Sequence, residues 1–145
     1  MLNNLVIAIS GRAGRIGSAF SRSLVENGGK VIIGDVDERS GKQLAKDFGK
    51  DNAYYYKCDL TIPDRVDCLI KEGVKIFGRM DAAVHCAYLK SNHWGARFDD
   101  LRPDALSEDL FKQLGGAILF SQRMIKYFRK QGHGMHPRRN PYPFY

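Results

Sequence analysis

The sequence predicts a doubly wound α/β fold: a parallel sheet of about four strands with helices on both faces. Three observations carry that prediction. Short apolar runs alternate four times with longer stretches of helical periodicity, the pattern of parallel strands joined by crossover helices. The first apolar run passes into three glycines, Gly11, Gly14 and Gly17, where the first helix would begin. The second run ends on an acid, Asp35. Right-handed crossovers leave few topologies, so the strand order expected is 3-2-1-4. A ligand crevice then opens at the carboxyl ends of strands one and four, where the winding reverses.

Each element has its own signal. Leu5 to Ile9 is a short apolar run bounded by polar residues, a buried strand. Ile16, Phe20 and Leu24 recur at helical spacing, and Asn27-Gly28-Gly29 stops that helix. Lys30 to Asp35 is the second strand. Leu44, Ala45 and Phe48 mark the second helix, ended by Gly49. Ala53 to Cys58 is the third strand. Pro63 suits a helix start, and Val66, Leu69, Ile70, Val74 and Phe77 give that helix its face, with Gly78 as its stop. Met80 to Ala87 is a fourth strand with little alternation, as expected for one covered on both faces. Residues 88–102 form a polar loop. Pro103 opens the longest helix, with Leu106, Leu110, Leu114, Ala117, Ile118, Ser121, Met124, Ile125 and Phe128 on its apolar face, ending near Gln131-Gly132. Two regions are expected: a nucleotide-binding domain over 1–134 and an irregular, proline-rich tail over 135–145.

The glycine spacing points to a ligand. Gly11 allows a tight turn out of the first strand, Gly14 lets a pyrophosphate lie on bare backbone, and Gly17 lets the helix pack close to the sheet. The helix N-terminus adds unpaired N–H groups and partial positive charge. Asp35, 18 residues past Gly17, is placed to accept hydrogen bonds from a ribose hydroxyl pair. A carboxylate there repels the 2′-phosphate of NADP, and Asp37 and Glu38 add to the repulsion, while Arg12 and Arg39 oppose it. NAD is therefore expected over NADP. Asp59 either reaches the adenine end of the crevice or serves as an N-cap or turn residue before Pro63.

These residues resemble the short-chain dehydrogenase/reductase family, a Rossmann-type fold. Ser10-Gly11-Arg12-Ala13-Gly14-Arg15-Ile16-Gly17 is similar to its TGxxGxxG variant, with serine for threonine. Cys58-Asp59-Leu60-Thr61 resembles its third-strand ending. Asp81-Ala82-Ala83-Val84-His85-Cys86-Ala87-Tyr88 resembles D-x-L-V-N-N-A-G, with His85 and Cys86 for the asparagines and Tyr88 for the glycine. Gln113-Leu114-Gly115-Gly116 resembles the fourth-helix N-x-x-G, with Gln113 where the family has a structural and catalytic asparagine. The resemblance covers residues 5 to about 134 and implies a cofactor site. Gly11, Arg12, Gly14, Ile16 and Gly17 would serve the phosphates, Asp35 the ribose, Asp59 and Leu60 the adenine, and Ala87 the nicotinamide-side ribose. The Ala87-Tyr88 ending and the loop from Leu89 to Asp100 are similar, more narrowly, to a bacterial branch linked to flagellin modification and sialic-acid-like sugar synthesis.

The family's catalytic residues have no counterpart here. Four positions after Tyr54, Tyr55, Tyr56, Tyr88 and Tyr127 stand Cys58, Asp59, Leu60, Asn92 and Gln131, so no Tyr-x-x-x-Lys exists. After Gly134 the family leads into an apolar fifth strand ending at a catalytic serine. This chain runs instead through Pro137, Pro141 and Pro143, too dense in proline for a central strand. The match stops so abruptly that a shortened product, from a reading-frame change or an alternative end, is the expectation. No catalytic residue is assigned. The open edge of strand four and the less-packed fourth helix, a subunit interface in the family, then favour self-association. The rival reading is a non-enzymatic scaffold or interaction module that keeps the nucleotide fold.

Composition narrows the classes. Of the 145 residues 43% are hydrophobic and 27% charged, as in ordinary globular proteins. No apolar run approaches the ~20 residues of a membrane span, and the N-terminus lacks the basic start of a secretory signal. Three cysteines, with no CxxC, fit reduced thiols in the cytoplasm. Residues 110–145 hold seven basic and no acidic side chains, which accounts for the whole net charge of +7. With no aromatic–basic alternation, nucleic-acid binding through 123–139 is the weaker reading. His133-x-x-His136 lacks a carboxylate or thiolate partner, so no metal site is assigned. Cys86 is either a reactive thiol or a buried strand residue, and Trp94 and Phe98 either line a pocket or pack the loop down.

Overall fold

A computed structural model describes residues 2–11 and 15–133. The tail over 135–145 and His136 lie outside the described residues. Four strands, β1 (Val6–Ser10), β2 (Lys30–Asp35), β3 (Ala53–Lys57) and β4 (Ala82–His85), alternate with α1 (Arg15–Glu26), α2 (Glu38–Phe48) and α3 (Pro63–Phe77). The sheet is parallel, with order β3-β2-β1-β4, as expected. β1 is paired on both sides and buried along its whole length. Its alternate residues feed two cores. Val6 and Ala8 face α3 and the last helix, where Leu69, Phe120 and Met124 are buried. Ile7 and Ile9 belong to the opposite core with Leu24, Val31, Ile33 and Leu44.

Two expected helix faces are corrected. On α1 the buried residues are Gly17, Ser21 and Leu24, while Ile16 is 77% and Phe20 43% exposed. Gly17, which has no side chain, and the small Ser21 let the helix settle on the sheet along their own stripe. Ile16 and Phe20 are turned out beside it. The long helix starting at Pro103 is also not uniform. It runs as α4 (Pro103–Leu110), a π-helical stretch (Phe111–Gly115) and α5 (Gly116–Gln131). Gly116, Phe120, Met124 and Phe128 are its buried stripe on α5. Leu106, Leu110, Leu114, Ile118 and Ile125, expected inside, are exposed. The sequence carries two apolar stripes on this helix, and the sheet covers only one.

β4 is shorter than the expected Met80–Ala87, and only Ala82 of its four residues is fully buried. One edge pairs with β1. The expectation of cover on both faces fails because α5 and α1 leave a groove of about 380 Å³ beside the strand, lined by Ile7, Phe20, Ala82, Val84, Phe120 and Phe128 among others. The entry to β4 is held by side chains. The Asp81 carboxylate accepts the Val6 N–H at 2.8 Å and the Arg79 Nε–H at 3.0 Å. The Gln131 side chain accepts the Met80 N–H at 3.2 Å and donates to the Met80 carbonyl at 2.8 Å. That amide does for Met80 what a neighbouring strand would do. No helix among the described residues is long and apolar enough to cross a membrane.

Gln131→Ala leaves both buried polar groups of Met80 without their partner. A loss of about 1–3 kcal/mol is expected, read as a lower urea midpoint with an unchanged slope.

Candidate dinucleotide site

The carboxyl ends of the strands converge on Gly11. Its N–H donates to the Gly34 carbonyl at 2.9 Å, which ties the end of β1 to the residue before Asp35. On its other side it lies against Ala87: a Cβ built on Gly11 would stand 1.9 Å from the Ala87 Cα. Its φ is +70°, in the left-handed region that side chains disfavour. Two independent constraints therefore require glycine at Gly11. Arg12 and Gly14, named for phosphate contact, lie outside the described residues. Beyond them α1 begins at Arg15 with no acid in its first turn, so nothing described on the helix offsets its positive end. Ile16 stands exposed on that turn, and Gly17 is buried behind it.

Asp35 closes β2 and is 6% exposed. Its Oδ1 accepts the Asp37 N–H at 2.9 Å, which turns the chain into α2. Its carbonyl accepts the Tyr55 hydroxyl at 2.9 Å. Burial, followed by the nearby Asp35 charge, pushes Tyr55 up to about 12, so this hydroxyl stays protonated at neutral pH. Asp37 caps α2 by accepting the Ser40 N–H, and its pKa is lowered by bonds to Ser40. Three carboxylates, Asp35, Asp37 and Glu38, thus cluster within four residues at this corner.

At the end of β3, the Asp59 Oδ1 accepts both the N–H and the hydroxyl of Thr61, at 2.9 and 2.7 Å. Of its two expected roles, the turn is occupied. It is not the helix cap, which is Ile62 with no side-chain bond. Leu60 is 2% exposed in the core, so any ligand contact it makes comes from its main chain. Burial pushes the Cys58 thiol up to about 12, an inert core residue. Burial also raises the half-buried Cys86 thiol.

One bond at the crevice is unforeseen in the sequence reading. Ser10 and His85 are register partners on β1 and β4, and Ser10 Oγ lies 3.0 Å from His85 Nδ1. The sequence signal for it is that both residues end adjacent strands, whereas the motif marks His85 only as a departure. The π stretch of the long helix supplies a second link: the Gln113 amide donates to the Leu89 carbonyl, two residues past Ala87. The loop over 88–102 then folds over α4 and leaves a cavity of about 440 Å³ lined by His93, Trp94, Leu101, Arg102, Ala105 and Gln113 among others. Trp94 lines it and packs edge-on against Tyr88, with centroids 5.1 Å apart. Phe98, 87% exposed, packs nothing down. His85, Cys58, Cys68 and Cys86 join no metal-binding group among the described residues.

A family model described as enoyl-(acyl carrier protein) reductase matches residues 11–136. The short-chain dehydrogenase reductase 5 of Arabidopsis thaliana is 29% identical over 119 residues, covering 82% of this chain and 45% of that protein. The chain belongs to the short-chain dehydrogenase/reductase family. Within it, the post-translational flagellin modification protein A of Campylobacter coli is 30% identical over 139 residues, covering 92% of this chain and 54% of that protein. A short-chain dehydrogenase from Mycobacterium smegmatis has the same fold, with a TM-score of 0.78, 26% identity, and 89% and 54% coverage of the two chains. A 3-ketoacyl-(acyl-carrier-protein) reductase from Brucella melitensis, solved with NADH, matches at 0.79 with 22% identity, covering 91% of this chain and 53% of that one. The chain spans about half the length of the curated relatives it matches.

Gly11→Ala forces a side chain into both constraints. The left-handed cost and the overlap with Ala87 together predict a loss of about 2–4 kcal/mol, measured as a shift in chemical denaturation.

Proposed function

We propose that this chain is the NAD-binding portion of a short-chain dehydrogenase/reductase-type oxidoreductase and that it does not turn over substrate by itself. The observation that carries the reading is the junction of three strand ends: Gly11 bonded to Gly34 on one side and pressed against Ala87 on the other, with Asp35 next to it. The fit is chemical as well as spatial. Bare backbone and a helix start without acid suit a diphosphate, with Gly11, Arg12, Gly14, Ile16 and Gly17 serving it. Asp35 would hold a ribose, and Asp59, the Leu60 main chain and Ala87 would line the rest. Exposed Ile16 gains apolar cover from a bound nucleotide. The acid cluster of Asp35, Asp37 and Glu38 disfavours a 2′-phosphate, so NAD is preferred over NADP.

When bound, the nicotinamide supplies the hydride acceptor or donor for an alcohol or carbonyl carbon. Likeness to the L-fucose dehydrogenase of Oryctolagus cuniculus, 35% identical over 82 residues, favours a sugar. The sequence holds no Tyr-x-x-x-Lys, and so no tyrosine with a lysine one helical turn on to lower its pKa. Free Cys58, Cys68 and Cys86 fit a reducing compartment, the cytoplasm.

The same absence, with the uncovered stripe from Leu106 to Ile125, favours a second reading: a scaffold that associates through the long helix or the β4 edge. On that helix Asp104 and Glu108 stand near one end and Lys126, Arg129 and Lys130 near the other. Asp104 and Glu108 are already paired with Arg102 and Lys112, so the apolar stripe would carry the association. Leu110→Asp with Ile118→Asp should then convert the chain to monomer in sedimentation velocity, with the fold kept by circular dichroism.

NAD separates the readings. At 100 times its dissociation constant it should stabilise the chain by ~2.7 kcal/mol, with NADP far weaker. No NADH should accumulate with alcohols or sugars. A flat melting temperature at millimolar NAD leaves the scaffold. Steady NADH production refutes the claim of inactivity.

A further inference from the structure

The bond between Ser10 and His85 joins the two strand ends that frame the crevice. Ser10 is fully buried and directly precedes Gly11, while His85 lies two residues before Ala87. The Cys86 N–H donates to the Ser10 carbonyl at 2.9 Å, so side chain and main chain run in parallel across the gap. The imidazole also packs against the Phe120 ring, with centroids 5.8 Å apart and planes at 43°. The strand ends that carry Gly11 and Ala87 are therefore joined by a main-chain bond and by a bond to a titratable ring.

We infer that His85 is a positioning residue which makes the nucleotide crevice pH-sensitive, holding the ends of β1 and β4 in register when neutral and loosening them when protonated. This rests on the dinucleotide reading above. The physical argument is one of donors and surroundings. A neutral imidazole accepts at one nitrogen and donates at the other, so it matches a hydroxyl in either sense. An imidazolium only donates. Ser10 must then act as acceptor and re-aim its own hydrogen, and Ser10 is itself fully buried, where an unmatched donor is costly.

The side chains around His85 offer the charge no partner. Ser10 faces it from β1, Phe120, Ser121 and Met124 from α5, and Phe20 from α1 across the same groove; none of them is charged. The adjacent titratable group, one residue past β4, is Cys86, whose thiol burial keeps neutral. Burial alone holds His85 below its ordinary value of 6.5. The sign follows. The folded state resists the proton more than the unfolded chain does, so the stability tied to neutral His85 is complete above about pH 6.5 and is lost as pH falls through the lowered value.

Two measurements test this. In the ligand-free protein, the His85 ring and the Gly11 and Ala87 amides are followed by NMR through a pH titration. The amides should move with the ring, at one shared midpoint below 6.5. Amides that stay still while the ring titrates, or a midpoint at or above the ordinary value, overturn the inference. In the second, the NAD dissociation constant of the wild-type chain should rise by about threefold or more between about pH 7.5 and about pH 5.5. His85→Asn, which can still bond Ser10 but does not titrate, should lose most of that dependence. An unchanged pH ratio in the variant also overturns the inference. If NAD binds at no pH, the dinucleotide reading fails, and the ligand-free titration still decides whether His85 governs the strand ends. The same titration decides if His85→Asn does not fold.

Discussion

The architecture turns on one close approach, the main chain of Gly11 against that of Ala87. A parallel sheet can pair β1 with both β2 and β4 only if the chain leaving β1 turns away between two neighbours that are already in place. Gly34 takes its N–H on one side and Ala87 occupies the space of its missing side chain on the other. The turn thus has no room for a Cβ and needs a positive φ. What the sheet requires for its own packing is also what leaves Gly11 as bare backbone at the end of β1, next to the diphosphate position we propose.

Much of the fold was legible because each strand is short, apolar and punctuated. Lys30–Asp35 matches its expected bounds, and the sheet order is among the few that right-handed crossovers leave. Helix faces were less legible. Ile16, Phe20 and Leu24 have helical spacing, yet Gly17 and Ser21 decide which side of α1 meets the sheet, because small residues permit the closer contact. On the long helix, Leu106, Leu110, Leu114 and Ile118 form as regular a stripe as Phe120, Met124 and Phe128. Periodicity finds both and cannot rank them; the ranking comes from where Leu60 and Leu69 stand across the interface.

The site was legible in its glycines and acids, and less so in its cross-strand bonds. Asp59 and Leu60 show why a position in a motif does not assign a role. Asp59 is engaged with Thr61, and Leu60 is a core side chain. The pairing of Ser10 with His85, and the clamp of Gln131 on Met80, join residues 75 and 51 positions apart. Such contacts are invisible to local pattern: the first follows only once the register of β1 with β4 is known, and the second only once α5 is docked beside the entry to β4.

The most direct measurement of the central claim is an amide chemical-shift map of the isotope-labelled chain titrated with NAD. Binding as described perturbs a contiguous set at the strand ends, Gly11, Gly17, Asp35 and Ala87, and leaves the amides along the outer stripe of α4 and α5 where they were. Perturbations confined to the loop over 88–102 and α4, or none at saturating nucleotide, would contradict it.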